Sequence, residues 1–220
     1  MTYHNYIFFD TDARVYDFDA KAMKKHKEGF VALVEKNKKV VTYGYSTLGF
    51  KAGTRFMLWF QSEKVEEIQN LLNSLLHTEL GRYLKISYTL FGMVRASQYS
   101  RHKATVQEQA IDETVREKYL VVYPFTKTIE WHLIPFEERR TLMIDHMKIG
   151  HKFAPIKQLL LYAYGVDDHE FVVSYETQAL LDFQSLVMEL RGTEARRHTK
   201  NDTPIFTCIH QPLREALDFI

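Results

Sequence analysis

Cysteine is nearly missing from this chain. A single Cys208 among 220 residues leaves no intrachain disulfide to form and no thiolate-rich metal site, which fits a reducing compartment and points to the cytoplasm. Long apolar runs are missing too. No stretch approaches the roughly 18 consecutive apolar residues of a membrane span, and the opening MTYHNYIFFDTDARVY has no basic region followed by an apolar run, so neither membrane insertion nor export is expected. Charge of one sign is not in excess. With 29 basic and 28 acidic side chains the formal net charge is +1, no basic cluster is interleaved with aromatics, and nucleic acid is not an expected partner. Several chemical signatures are also lacking: Gly-x-Gly-x-x-Gly, a phosphate loop, Gly-x-Ser-x-Gly and His-Glu-x-x-His. Asp167-Asp168 and the Asp10 to Asp12 segment read as turn and cap carboxylates, and His146 and His151, five residues apart, are poorly placed to share a metal on one helix face.

What is present is a chain with 45% hydrophobic residues, enough to bury one large core or two smaller ones packed together. Period-two and helical-period runs alternate in a definite order. Tyr3 to Phe9 reads as a strand, Asp17 to Asn37 as an amphipathic helix, Lys39 to Ser46 and Thr54 to Phe60 as strands, Val65 to Thr78 as a helix and Lys85 to Met93 as a strand. The order is β-α-β-β-α-β, the ferredoxin-like arrangement. The second half repeats it: strand Tyr119 to Thr126, helix Pro135 to Phe153, strands Ile156 to Ala163 and Glu170 to Glu176, helix Thr177 to Arg191, strand Ile205 to His210. Phe56-Met57-Leu58-Trp59-Phe60 aligns with Phe171-Val172-Val173-Ser174-Tyr175 at an offset of 115 residues (56 to 171), and the same offset carries Thr78-Glu79 onto Thr193-Glu194 and Arg82 onto Arg197. A constant shift over that length argues for an internal repeat. The expected fold class is therefore α+β, two ferredoxin-like repeats pairing their sheets into a dimeric α+β barrel within one chain. The expected division is an N-terminal half 1–94, a polar linker or lid loop 95–118, and a C-terminal half 119–220. Within the loop, Ser97, Tyr99 and His102 could reach a pocket in the second half.

The stretch from Tyr123 to Phe153 carries the chemistry. Its helix is expected to begin at Pro135, a residue favoured at a first helical position, with Glu137 and Glu138 at the positive end of the macrodipole. Leu142, His146, Ile149 and Phe153 recur at helical spacing, which puts an imidazole on the apolar face. Such a histidine is most often a hydrogen-bonded core residue, and taken alone it reads as one. The strand before the helix supplies a phenol, Tyr123, and is followed at once by the ammonium of Lys127.

The segment Tyr123-Pro124-Phe125-Thr126-Lys127, the later Trp131, Pro135-Phe136-Glu137-Glu138-Arg139-Arg140 and His146-Met147-Lys148-Ile149-Gly150 resemble the chlorite dismutase-like family, and within it the coproheme decarboxylases. The resemblance continues through Gly165-Val166-Asp167-Asp168, Leu190-Arg191-Gly192-Thr193-Glu194-Ala195-Arg196-Arg197 and Thr203-Pro204-Ile205-Phe206, and upstream through Phe56-Met57-Leu58-Trp59 and Leu80-Gly81-Arg82-Tyr83-Leu84. It implies a haem-binding oxidoreductase, an enzyme that uses hydrogen peroxide to decarboxylate iron coproporphyrin III to haem b in haem biosynthesis. By that resemblance His146 is the proximal iron ligand, Glu194 the partner of its second ring N–H, Trp131 a neighbour of the haem, Tyr123 the redox-active tyrosine and Lys127 a propionate partner. The distal position falls on Gln158 when counted back from Gly165 and on Leu159 when counted forward from His146. Neither is the arginine of a chlorite-decomposing enzyme. Haem b or iron coproporphyrin III is the implied cofactor, and a homo-oligomer, commonly a pentamer, the implied assembly. A chlorite dismutase or weak haem peroxidase, and a non-catalytic haem-binding, transfer or sensing protein, are the alternatives.

Overall fold

The structure is a computed structural model that describes residues 1–96, 99 and 115–220. Ser97 and His102 of the loop lie outside the described residues. In chain order the elements are β1 (Tyr3–Thr11), α1 (Ala20–Lys36), β2 (Val41–Ser46), β3 (Phe56–Ser62), α2 (Val65–Leu76) and β4 (Leu84–Met93). They continue with β5 (Tyr119–Lys127), α3 (Ile129–Leu133), α4 (Phe136–Lys152), β6 (Lys157–Tyr162), β7 (Phe171–Thr177), α5 (Leu180–Arg191), β8 (Thr199–Asn201), β9 (Phe206–Gln211) and α6 (Leu213–Ala216). The class is α+β, as expected, with antiparallel pairing throughout the registers given below.

Two compact units result, one of residues 1–94 with 206–220 and the other of residues 95–205. In the first, β1 lies between β3 and β4, and β2 joins β3 to β9. Helices α1 and α2 cover this sheet, and Phe9, Phe30, Phe56, Phe60, Ile68, Leu71 and Leu75 form its core. The C-terminal segment belongs here for a packing reason. Leu217 is part of the same core, Phe206 stacks on Phe8 at 3.9 Å, and the Cα of Gly44 comes so close to Leu213 and Ala216 that an added Cβ would meet both at 3.2 Å. The sequence division that ran the second half to residue 220 therefore extends one strand and one short helix past the second compact unit.

In the second unit β7 pairs with β5 on one side and β6 on the other, and β8 adds to the end of β5. The expected helix from Pro135 begins one residue later. Pro135 is the cap, in an extended conformation, and Glu137 and Glu138 occupy the first turn. The chain between β5 and α4 is not a plain loop. Thr128 caps a five-residue helix, α3, whose end at Ile134 is extended, as a residue before proline prefers to be.

The repeat is borne out in both pairs of long helices and in the strands that carried the sequence offset. Helices α1 and α4 are both 17 residues and start 116 apart, at 20 and 136. Helices α2 and α5 are both 12 residues and start 115 apart, at 65 and 180, as do strands β3 and β7, at 56 and 171.

Candidate functional site

One face of the second unit's sheet is walled by alternate residues, because successive side chains of a strand point to opposite sides. Phe125, Phe171 and Tyr162 form one row across β5, β7 and β6; Tyr123, Val173 and Leu160 form the next; Tyr175 and Gln158 a third. Helix α4 contributes Met143, His146, Met147 and Gly150 and helix α5 contributes Phe183, Leu186, Val187 and Leu190, and between these surfaces lies a cavity of about 280 Å³. No residue of α4 is fully buried, although α1 in the first unit buries Phe30, Val31 and Val34. The inner face of α4 is turned to a cavity.

The alternation also decides between the two residues left open by counting. Gln158 lines the cavity and Leu159, 6% exposed, is buried on the other face of β6.

His146 stands in this wall with its Nδ1 buried and without a hydrogen-bond partner among the described residues. Burial first, and then the nearby Lys127 ammonium, push the imidazole down to about 4, so it is neutral at physiological pH. Lys127 is itself pushed down to about 8, by burial first and then by Arg196. Its Nζ sits 4.4 Å from the centre of the Trp131 ring, a cation–π contact on a nearly fully buried indole. Tyr123 is raised to about 12, mainly by burial. Its ring stacks on that of Tyr175 at 6.2 Å and the two hydroxyls interact, while full burial raises Tyr175 well above the ordinary phenol range.

The fold thus brings five of the six residues singled out from sequence, Tyr123, Lys127, Trp131, His146 and Gln158, into the lining of one cavity. Glu194 is not part of that lining. Its carboxylate is 67% exposed and pairs with Arg197 Nε at 2.8 Å. The first unit has the same pair at the matching positions, Glu79 with Arg82 at 3.7 Å, and in both copies the preceding threonine, Thr78 or Thr193, donates to a leucine carbonyl at 2.7 Å. A feature common to both copies belongs to the turn that follows the second helix of the repeat.

Sequence reasoning passed over the arginines of the cavity. Arg191 and Arg196 each place an Nη2 atom 3.1 Å from the same oxygen of Asp202, and all three line the cavity. Together with Lys127 they outnumber the one carboxylate. Both arginines stand inside the segment that carried the family resemblance, but nothing in their spacing told an inward arginine from the outward Arg197.

The family model described as chlorite dismutase matches residues 20–211 of the chain. Among curated proteins the chain is 30% identical over 175 residues to a coproheme decarboxylase of Mycolicibacterium smegmatis, covering 79% of this chain and 74% of the relative. It is 29% identical over 163 residues to a coproheme decarboxylase of Staphylococcus carnosus, covering 68% of this chain and 65% of the relative. Among solved structures it is similar to a mutant chlorite dismutase from Candidatus Nitrospira defluvii, with a TM-score of 0.90, 25% identity and coverage of 99% and 94% of the two chains. A haem-binding protein from Thermus thermophilus shares the fold at a TM-score of 0.84 and 21% identity, over 99% and 93%.

Proposed function

The chain belongs to the chlorite dismutase family, and from that premise we propose that it is a coproheme decarboxylase, converting iron coproporphyrin III to haem b with hydrogen peroxide. The observation that carries the reading is the cavity's chemistry. An apolar slot is lined by Phe125, Phe171, Leu160 and Phe183, together with one neutral imidazole and three cationic side chains, Lys127, Arg191 and Arg196. A planar macrocycle with carboxylate arms suits that combination.

The donor set fits iron carried by a porphyrin. Among the described residues no group of three or more His, Cys, Asp or Glu side chains is placed to hold a bare ion, so an ion held by His146 would bring its remaining ligands with it. His146, kept neutral by burial, is ready to coordinate. When bound, the iron porphyrin reduces peroxide and supplies the oxidising equivalent. The chain's own residues then direct it. Each propionate arm gives up carbon dioxide, one proton and two electrons to become a vinyl group, while one peroxide takes up those two electrons, that proton and one more from solvent to give two waters. In this reading Tyr123 is the phenol that passes the hydrogen atom. Its raised pKa keeps the hydroxyl protonated, so oxidation must remove a proton together with the electron. Lys127 and the arginines hold carboxylates in place, the apolar wall excludes water, Trp131 backs the lysine, and Gln158 presents a neutral amide.

Chlorite turnover has less support. The cavity face of β6 offers Gln158, Leu160 and Tyr162, none of them a cation that could retain an anionic chlorine oxide. We also assign the protein to the cytoplasm, in keeping with its single, buried, reduced Cys208, and to a homo-oligomer, a ring of five by family resemblance, which light scattering tests. Among the described residues no helix is long and apolar enough to cross a membrane.

The deciding experiment adds ferric coproporphyrin III to the purified protein, titrates peroxide and follows the porphyrin by mass. Stepwise loss of two carboxyl groups is expected, slowed at least a hundredfold by Tyr123→Phe. Binding with unchanged porphyrin mass would sink the decarboxylase reading and leave a haem-binding protein, and an undiminished rate in Tyr123→Phe would sink the relay role of Tyr123.

A further inference from the structure

Lys127 leaves its strand where the pairing of the sheet changes. β5 follows β7 residue for residue as far as Phe125 opposite Phe171, and its pairing with β8 then shifts register between Thr126 and Lys127. An irregularity of this kind re-aims the side chain that follows it. The Lys127 backbone N–H donates to Glu170 Oε2 at 2.7 Å, and the other carboxylate oxygen, Oε1, lies 2.8 Å from His132 Nε2. His132 belongs to α3, the short helix whose Trp131 ring carries the Lys127 ammonium. Glu170 is itself tied down, since its carbonyl accepts the Ala163 N–H at 2.8 Å and its side chain is only 20% exposed. One carboxylate thus joins the end of the strand to the last turn of the helix, and the lysine is held between them.

We infer that Glu170 is a positioning residue that sets the Lys127 ammonium over Trp131 in the cavity, by accepting the Lys127 backbone N–H and engaging His132 with its two oxygens. A carboxylate serves better than an amide because both of its oxygens accept, whereas a glutamine has only one. The inference rests on the proposed function only in assigning Lys127 a carboxylate to hold.

Two readouts separate the claims. In the ligand-free protein, the part of the tryptophan emission that disappears in Trp131→Phe is expected to change alike in Lys127→Met and Glu170→Ala, with no further change in the double variant. In titrations with iron-free coproporphyrin III, each single variant is expected to bind on the order of tenfold more weakly. The double variant should then be no more than about twofold worse than either single one, since the two act as a unit. Glu170→Gln, which keeps an acceptor for the Lys127 N–H, should stay within about threefold of the wild type. His132→Ala, on the surface, gives a second route if Glu170→Ala does not fold, and should move the emission in the same direction by less. Additive losses of affinity, or an unchanged Trp131 emission in Glu170→Ala and His132→Ala where Lys127→Met alters it, would overturn the inference. A wild type that binds no porphyrin would refute the proposed function, and the emission comparison would still decide the role of Glu170.

Discussion

Replacing His146 by phenylalanine, the residue at the matching place in the first repeat, should remove a pH dependence from the stability of the ligand-free protein. The imidazole is pushed from 6.5 to about 4 in the fold by burial and by Lys127. The unfolded chain therefore binds a proton between about pH 6.5 and 4 that the folded chain does not, and in that window stability must fall as the pH falls. At about 1.4 kcal/mol for each pH unit that separates the two values, the penalty is close to nothing at pH 7 and reaches about 3 kcal/mol at pH 4. His146→Phe removes this contribution while leaving every other titrating group in place, and it also replaces by carbon a buried Nδ1 that has no hydrogen-bond partner among the described residues. Urea unfolding of both proteins at half-unit steps from pH 7.5 to 4.5 would show the two stability curves diverging on the acid side, with the variant losing less. Parallel curves over that range would mean that His146 is not held neutral, and the account of its burial would be wrong.

Three further changes test the packing and the reading of Glu194. Gly81 lies so close to the Leu75 carbonyl that no Cβ fits, so Gly81→Ala should cost about 1–3 kcal/mol, read as a lower urea midpoint with an unchanged slope. Gly29, in mid-helix with nothing within 4 Å of an added Cβ, is the opposite case, and Gly29→Ala should stabilise by about 0.5–1 kcal/mol in the same assay. Glu194→Gln breaks an exposed ion pair and should shift the midpoint by less than the equivalent of about 1 kcal/mol. It should also leave porphyrin affinity within about twofold of the wild type, and a larger loss measured by titration would restore Glu194 to the site.

The order of elements was legible because the longer strands and helices carry their own period, and the repeat because Phe56 to Phe60 and Phe171 to Tyr175 share aromatic ends and aliphatic second and third positions at a fixed offset. The small elements were not. Five residues are too few for a helical period to appear in α3, and β8 is three residues paired to the end of β5. The site was legible where a strand or helix fixes direction, as at Tyr123 and His146. It was obscure in the turn after α5, where Glu194, Arg196 and Arg197 lie within four positions and only the backbone of a tight 3-10 turn decides which faces the cavity. Gln158 and Leu159 show the same limit, since a count uncertain by one residue exchanges the two faces of a strand.

Comparing the copies shows why chemistry belongs to one of them. At the place of His146 the first unit has Phe30, at that of Tyr123 it has Ile7, and at that of Tyr175 it has Phe60, all three with no exposed surface. Gly81, packed against Leu75, stands where the second unit has Arg196 on the cavity wall. Each exchange puts a polar group where the first unit has an apolar side chain or none, and the second unit keeps a cavity between helix and sheet. Filling with apolar side chains stabilises a unit, and leaving a cavity lined by a neutral histidine, a buried lysine and two arginines costs stability that only a ligand with complementary charge can return. In the proposed reading the first copy serves as scaffold. Porphyrin binding should accordingly protect the backbone amides of α4 and α5 from hydrogen exchange more than those of α1 and α2, and equal protection of both pairs of helices would contradict this division of labour.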